Sequence, residues 1–208
     1  MRWARIDWQG RISYGFVDGE QINLVEGGLF DGGKPTGQSV PLSKVRFLVP
    51  IIPQTFYAAG MNYVDHVIEQ ARIAGQEPNV PDKPDIGYRA NNALIAHNEA
   101  IVKPKGSTEK FQYEGELVAV IGKKTKNVTE DEALDYVFGY TIGNDVSERT
   151  WQNLDRTLWR AKNSDTFKPM GPWIETDIEL DELTTKVHLN GREVISFPTN
   201  EIESKTLG

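Results

Sequence analysis

The stretch YEGELVAVIG, residues 113–122, decides the fold. Beyond Glu116 it is apolar on both faces, which predicts a strand buried from either side and therefore central in a sheet. The run is far too short to span a bilayer. At positions i and i+2 of a strand, Glu114 and Glu116 project from one face, roughly 6.6 Å apart along the backbone. Two like charges at the mouth of a buried strand repel unless something neutralises them. A hard dication does so, because Mg²⁺ and Ca²⁺ prefer carboxylate oxygens. Gly115 between them carries no side chain and lets a backbone or ligand approach closely. Taken alone, Glu-Gly-Glu reads more readily as a solvated strand end, the blander use of two glutamates.

Downstream, Thr129 with Glu132 forms a capping box that opens a helix over 130–137, with Gly139 ending it. A second strand, 140–144, runs into Asp145 where a buried strand meets a loop, a common place for catalytic groups. Three carboxylates from two β segments leave positions open for water and substrate, as a catalytic Mg²⁺ or Mn²⁺ requires. An Asx turn at the Val146-Ser147 corner is the other use of Asp145. Upstream, a helix is predicted over 63–74, with Asn62 as N-cap and Gly75 closing it. Val64, Val67, Ile68, Ala71 and Ala74 form its apolar face. His66 and Glu69 lie three apart on the opposite side, where a carboxylate can fix the tautomer of a general base; from spacing alone an ordinary exposed helix face is the better reading. Arg149, Gln152 and Lys162 follow Asp145 and supply groups able to bind an anion or a developing oxyanion.

The remainder reads as β structure. Residues 1–53 form a small β unit in which 12–17 and 21–25 flank Asp18-Gly19, a hairpin turn with positive φ at both central positions. Residues 30–37 and 77–85 read as loops, 55–59 as a short strand, and 93–102 as weak strand. Strands at 173–175 and 185–189 follow, the latter entering an Asn190-Gly191 turn. The 208 residues are 38% hydrophobic and 10% aromatic, enough to bury a core. A net charge of −7 and no basic stripe argue against nucleic-acid partners. The absence of cysteine excludes disulfides and thiolate chemistry. MRWARIDWQG has no apolar signal region, which makes the cytoplasm the expected location and no membrane the expected partner.

The ordered segments GMNYVDHVIE, YEGELVAVIG, FGYTIGNDVSERTWQ and KNSDTFKPMGPW closely resemble the fumarylacetoacetate hydrolase family, from about Phe56 to at least Phe197. The resemblance implies a mainly β fold with short helices, a rolled mixed β-sandwich, with a catalytic domain over 54–208 and a small N-terminal β domain over 1–53. It implies a homodimer, and further C-terminal strands beyond Gly208. It matches Glu114, Glu116 and Asp145 to Mg²⁺ or Mn²⁺ ligands, with Ca²⁺ as a substitute. His66 and Glu69 match the pair that activates water, Lys162 the lysine that holds the reacting oxygens, and Arg149 and Gln152 the substrate-contacting positions. The implied reaction is C–C hydrolysis of an acylpyruvate-like or β-diketo acid, a small 2-oxo or β-dicarbonyl acid, through a metal-stabilised enolate. Isomerisation or decarboxylation of unsaturated 2-oxo dicarboxylates in aromatic catabolism uses the same enolate. A truncated, catalytically silent domain that binds metal or a partner is the reading from another class.

Overall fold

In the computed structural model, residues 1–199 are described, without the side chains of Asp65, His66, Glu69, Gln70 and Ala74. These residues fall into two compact units. The first comprises Met1–Gln54, Ala90–Lys124 and Val137–Ile178; the second comprises Thr55–Arg89, Thr125–Tyr136 and the described part of Glu179–Gly208.

The first unit starts with β1 (Arg2–Trp8), β2 (Arg11–Asp18), β3 (Gln21–Glu26) and β4 (Lys34–Pro41), an antiparallel meander, and β5 (Arg46–Phe47) pairs with β1. The β2–β3 hairpin forms as expected, but Asp18 pairs with Gln21, so its turn is Gly19-Glu20. Only Gly19, at φ +54°, takes positive φ there, as a II′-type turn requires. Residues 34–37, expected as loop, belong to β4, because its ladder to β3 satisfies backbone groups that the polar side chains do not flag. Along β1 the pleat buries Trp3 on one face and Ala4 and Ile6 on the other, each in its own cluster.

In the second unit, β6 (Tyr57–Gly60) pairs with β7 (Asp85–Tyr88), and α1 (Val64–Ala74) lies between them in sequence. Tyr63 rather than Asn62 is its N-cap, and Gly75 closes it at φ +66°, donating to the carbonyls of Ala71 and Arg72. Of the expected apolar face Val67 is buried, whereas Ile68 is exposed. The β strand read weakly over 93–102 reduces to β8 (Leu94–Ile95).

β9 (Phe111–Gln112) precedes β10 (Gly115–Ile121), the decisive stretch. After α2 (Glu130–Ala133) and a 3-10 turn over Leu134–Tyr136 comes β11 (Val137–Asn144). The Glu132 carboxylate accepts from the Thr129 N–H at 3.2 Å and hydroxyl at 2.7 Å, so the capping signal is realised. Gly139 does not end that helix; it lies inside β11, opposite Val120. The order of the main sheet is β10-β11-β14-β1-β2-β3-β4, where β14 is Ile174–Glu175. Among the described residues β10 is therefore the terminal strand and not a central one. Its apolar run is covered on one side only: Val120 is buried, while Ile121, and Ile142 opposite Leu117 on β11, are exposed.

Beyond β11 come β12 (Ser147–Glu148), α3 (Arg149–Leu154), α4 (Trp159–Asn163) and β13 (Lys168–Pro169), which pairs in parallel with β8. In the second unit β15 (Thr184–Leu189) and β16 (Arg192–Pro198) form the expected hairpin. Asn190 and Gly191 sit at φ +52° and +76°, the I′ geometry their side chains tolerate. The described chain is thus mainly β, with short helices and a mixed strand pairing.

β14 bridges β1 to β11 by a close approach. A Cβ on Gly139 would lie 2.6 Å from the Glu175 carbonyl oxygen and 2.9 Å from an Ile174 methyl. Gly139→Ala should therefore destabilise the fold by about 1–3 kcal/mol in urea denaturation. An unchanged midpoint and slope would show that β14 can move away freely.

Candidate active site

β10 and β11 carry the candidate site at one end and core at the other. Along the face shared by Glu116, Val118 and Val120, the opposing residues are Gly143, Thr141 and Gly139. Val120 packs with Trp3, Val25, Leu29 and Ile174. Two pleats further on, the same face becomes acidic. Thr141, between the two regimes, is buried, and its hydroxyl has no hydrogen-bond partner among the described residues.

The ladder holds the acidic end tightly. The Asp145 N–H donates to the Glu114 carbonyl at 2.9 Å, and the Glu114 N–H donates to Asn144 Oδ1 at 3.0 Å. Behind Asp145, Val146 and Phe167 are fully buried with Ala93, and the Val146 N–H donates to the Phe167 carbonyl at 3.1 Å. Burying Phe167 contributes about 1.5–3 kcal/mol to this anchor.

The carboxylates meet cations. Lys162 Nζ, 6% exposed at the residue level, donates to Glu114 Oε2 and, at 3.0 Å, to Asp145 Oδ2. Lys168 Nζ takes Asp145 Oδ1 at 2.7 Å. Arg149 Nη2 donates to Glu114 Oε1, its Nη1 to Gln152 Oε1 at 2.9 Å, and its Nε to Gln112 Oε1 at 2.8 Å. The Asp145 carboxylate is thus engaged by two lysines, and it is the Ser147 hydroxyl that donates to the Asp145 carbonyl at the following corner. Glu114, Asp145, Lys162, Arg149 and Gln152 come together. Glu116 stands two residues along β10, opposite Gly143. The side chains of His66 and Glu69, on α1, lie outside the described residues.

Among the described residues, no group of three or more His, Cys, Asp or Glu side chains is gathered as a ready metal cage. An ammonium, that of Lys162, joins Glu114 to Asp145 instead. The donor chemistry still fits a hard dication: oxygen-only ligands from a rigid ladder, two of them already converging on one cationic head.

Two buried or half-buried acids that the sequence did not flag set this geometry. Glu148 is fully buried and caps α3, accepting from the Trp151 N–H at 2.6 Å and the Thr108 N–H at 3.0 Å, and from the Thr108 hydroxyl. Burial pushes its carboxyl up, but these hydrogen bonds and the Lys103 charge outweigh it and hold the group below the ordinary glutamate range. Asp155 holds the start of α4, which presents Lys162, by accepting from the N–H groups of Arg160 and Ala161 at 2.8 and 3.0 Å and from the Arg160 guanidinium. Here too burial raises and the Arg160 and Ala161 donors more than offset it, leaving Asp155 below its ordinary value. Glu is not among the residues preferred at an N-cap, so no local signal marked the first.

Residues 55–205 match the fumarylacetoacetate (FAA) hydrolase C-terminal family. The chain belongs to the fumarylacetoacetate hydrolase family. Residues 1–50 match the Rv2993c-like N-terminal family. Protein Rv2993c of Mycobacterium tuberculosis is 40% identical over 185 residues, 86% of this chain and 67% of that protein. The mitochondrial oxaloacetate tautomerase fahd2 of Xenopus laevis is 38% identical over 170 residues, 79% of this chain but 51% of its own length. The crystal structure of 2-hydroxyhepta-2,4-diene-1,7-dioate isomerase from Mycobacterium marinum superposes with a TM-score of 0.85 at 32% identity, covering 97% of this chain and 76% of that one. The fold is the one expected, and family members include hydrolases, isomerases and tautomerases. No helix among the described residues is long and apolar enough to cross a membrane.

Because Glu148 and Asp155 are held below their unfolded values, the stability they contribute is present above the ordinary carboxylate range, about pH 4, and is lost as pH falls through their folded values. Glu148→Gln should therefore lower stability by about 1–3 kcal/mol at pH 7 and by progressively less below pH 4 in urea titrations. A penalty that does not change with pH would contradict this.

Proposed function

We propose that this chain is a divalent-metal-dependent enzyme acting on 2-oxo acids through their enolates, as an isomerase or tautomerase. The observation that carries the reading is the buried Lys162 ammonium joining Glu114 to Asp145. A Mg²⁺ or Mn²⁺ held by Glu114, Glu116 and Asp145 would supply Lewis-acid polarisation of the substrate's adjacent oxygens. Lys162, beside that position and fixed by α4, donates a hydrogen bond to the oxygen on which enolate charge develops. Arg149, with Gln152 bound to it, offers a guanidinium to a second carboxylate. Arg149, Lys162 and Lys168 already offset Glu114, Glu116 and Asp145 in number, so a dication leaves the centre net positive and suited to a dicarboxylate. His66, three residues before Glu69 in the sequence, is assigned the proton transfer at carbon.

Two relatives support the order of preference, since oxaloacetate tautomerase and the diene-dioate isomerase both carry names of enolisable dicarboxylates. C–C hydrolysis of an acylpyruvate-like or β-diketo acid, with His66 and Glu69 activating water, is the second reading. Its support is the one-sided i, i+3 spacing of that pair on α1. A cytoplasmic homodimer is proposed on the family resemblance alone.

Product formation from oxaloacetate enol, a hydroxymuconate-type dienol and acetylpyruvate, followed by NMR with Mg²⁺ or Mn²⁺, tests this. Metal-dependent acceleration of enol ketonisation, abolished by EDTA and without pyruvate release from acetylpyruvate, is expected. Lys162→Met should lower the rate by about 10²–10³-fold while Mn²⁺ still binds. Metal-independent turnover, or acetylpyruvate cleavage faster than ketonisation, would overturn the preferred reading.

A further inference from the structure

We propose that Lys168 is a positioning residue that restricts Asp145 to one oxygen toward a bound metal and thereby biases the centre to Mg²⁺ or Mn²⁺ over Ca²⁺. This rests on the reading of Glu114, Glu116 and Asp145 as the metal-holding carboxylates.

Lys168 is 3% exposed. Its ammonium has three N–H donors and three acceptors: Asp145 Oδ1 at 2.7 Å and the carbonyls of Val146 and Phe167, each at 3.1 Å. Those two carbonyls belong to segments already tied to each other by the Val146 N–H, and the Lys168 backbone is paired in parallel with Leu94. The ammonium therefore has a fixed seat. Releasing Oδ1 would take from a buried ammonium the carboxylate it holds at 2.7 Å.

Lys168 therefore holds Oδ1, while Oδ2 is the oxygen turned toward Lys162, whose ammonium is shared with Glu114 and which a dication on these carboxylates would displace. Ca²⁺ gathers more oxygens and often takes a carboxylate through both, whereas Mg²⁺ keeps a near-octahedral set of single oxygens. A carboxylate with one oxygen permanently occupied suits the smaller ion. Lys168 also places positive charge beside a ligand, which weakens attraction for either dication without choosing between them. The choice comes from the denticity.

Mn²⁺ and Ca²⁺ affinities of the wild type and Lys168→Met, from electron paramagnetic resonance of free Mn²⁺ with Ca²⁺ competition, test the inference. Both ions should bind the variant more tightly, Ca²⁺ gaining more, so that its disadvantage relative to Mn²⁺ shrinks by about tenfold. A ratio unchanged within about twofold, in a variant whose circular dichroism shows it folded, overturns the role of Lys168 but not the metal site. A wild type that binds neither ion overturns the metal-site reading itself. If Lys168→Met does not fold, a crystal structure of the Mn²⁺-loaded wild type decides. Oδ2 alone on the metal with Lys168 on Oδ1 supports the inference, and both Asp145 oxygens on the metal overturn it.

Discussion

A buried ammonium needs partners, and that of Lys162 has Glu114 and Asp145. The rest of the first unit is organised so that this three-way contact forms. The β10–β11 ladder fixes both carboxylates, the Asn144 side chain holds the Glu114 backbone, and Asp155 sets the start of α4 from which Lys162 extends. Removing any one support leaves charge in a place where water cannot compensate it, so the site and the fold share the same constraint.

The two halves of the β10–β11 face divide the work. Val120 and Gly139 belong to the core, and Gly139 is small because β14 passes against it. Glu116 and Gly143 lie at the acidic end, and Gly143 is small because a Cβ there would come within 2.8 Å of a Val118 methyl. A single strand pair thus joins the packed core directly to the acidic end, which is how a cluster of like charges keeps its geometry.

Features carried by local spacing were legible in the sequence. The Asn190-Gly191 turn, the Thr129–Glu132 cap and the helix over 63–74 follow from backbone rules that need no distant partner. The strand that carries Glu116 was legible in the same way, although it starts at Gly115 and leaves Glu114 just before it. Lys168 and Glu148 were not legible, because what distinguishes them is a partner contributed from far along the chain: Asp145 for the one and Thr108 for the other. The misplacement of β10 at the centre of the sheet has a related cause. An apolar run records affinity for burial but not how many layers are present to bury it, and Ile121 and Ile142 remain exposed among the described residues.

Enolate stabilisation is the step on which the proposed function turns, and the Glu114–Lys162–Asp145 contact is where that proposal puts it. Oxalate, a planar dianion shaped like the enolate of pyruvate, probes that centre without any turnover. Calorimetric titration of oxalate into the Mn²⁺-loaded protein and into Lys162→Met should show binding that requires metal and is weakened in the variant by about tenfold or more. Oxalate binding that is equally strong without metal, or untouched by loss of the Lys162 ammonium, would contradict the assignment of an enolate centre.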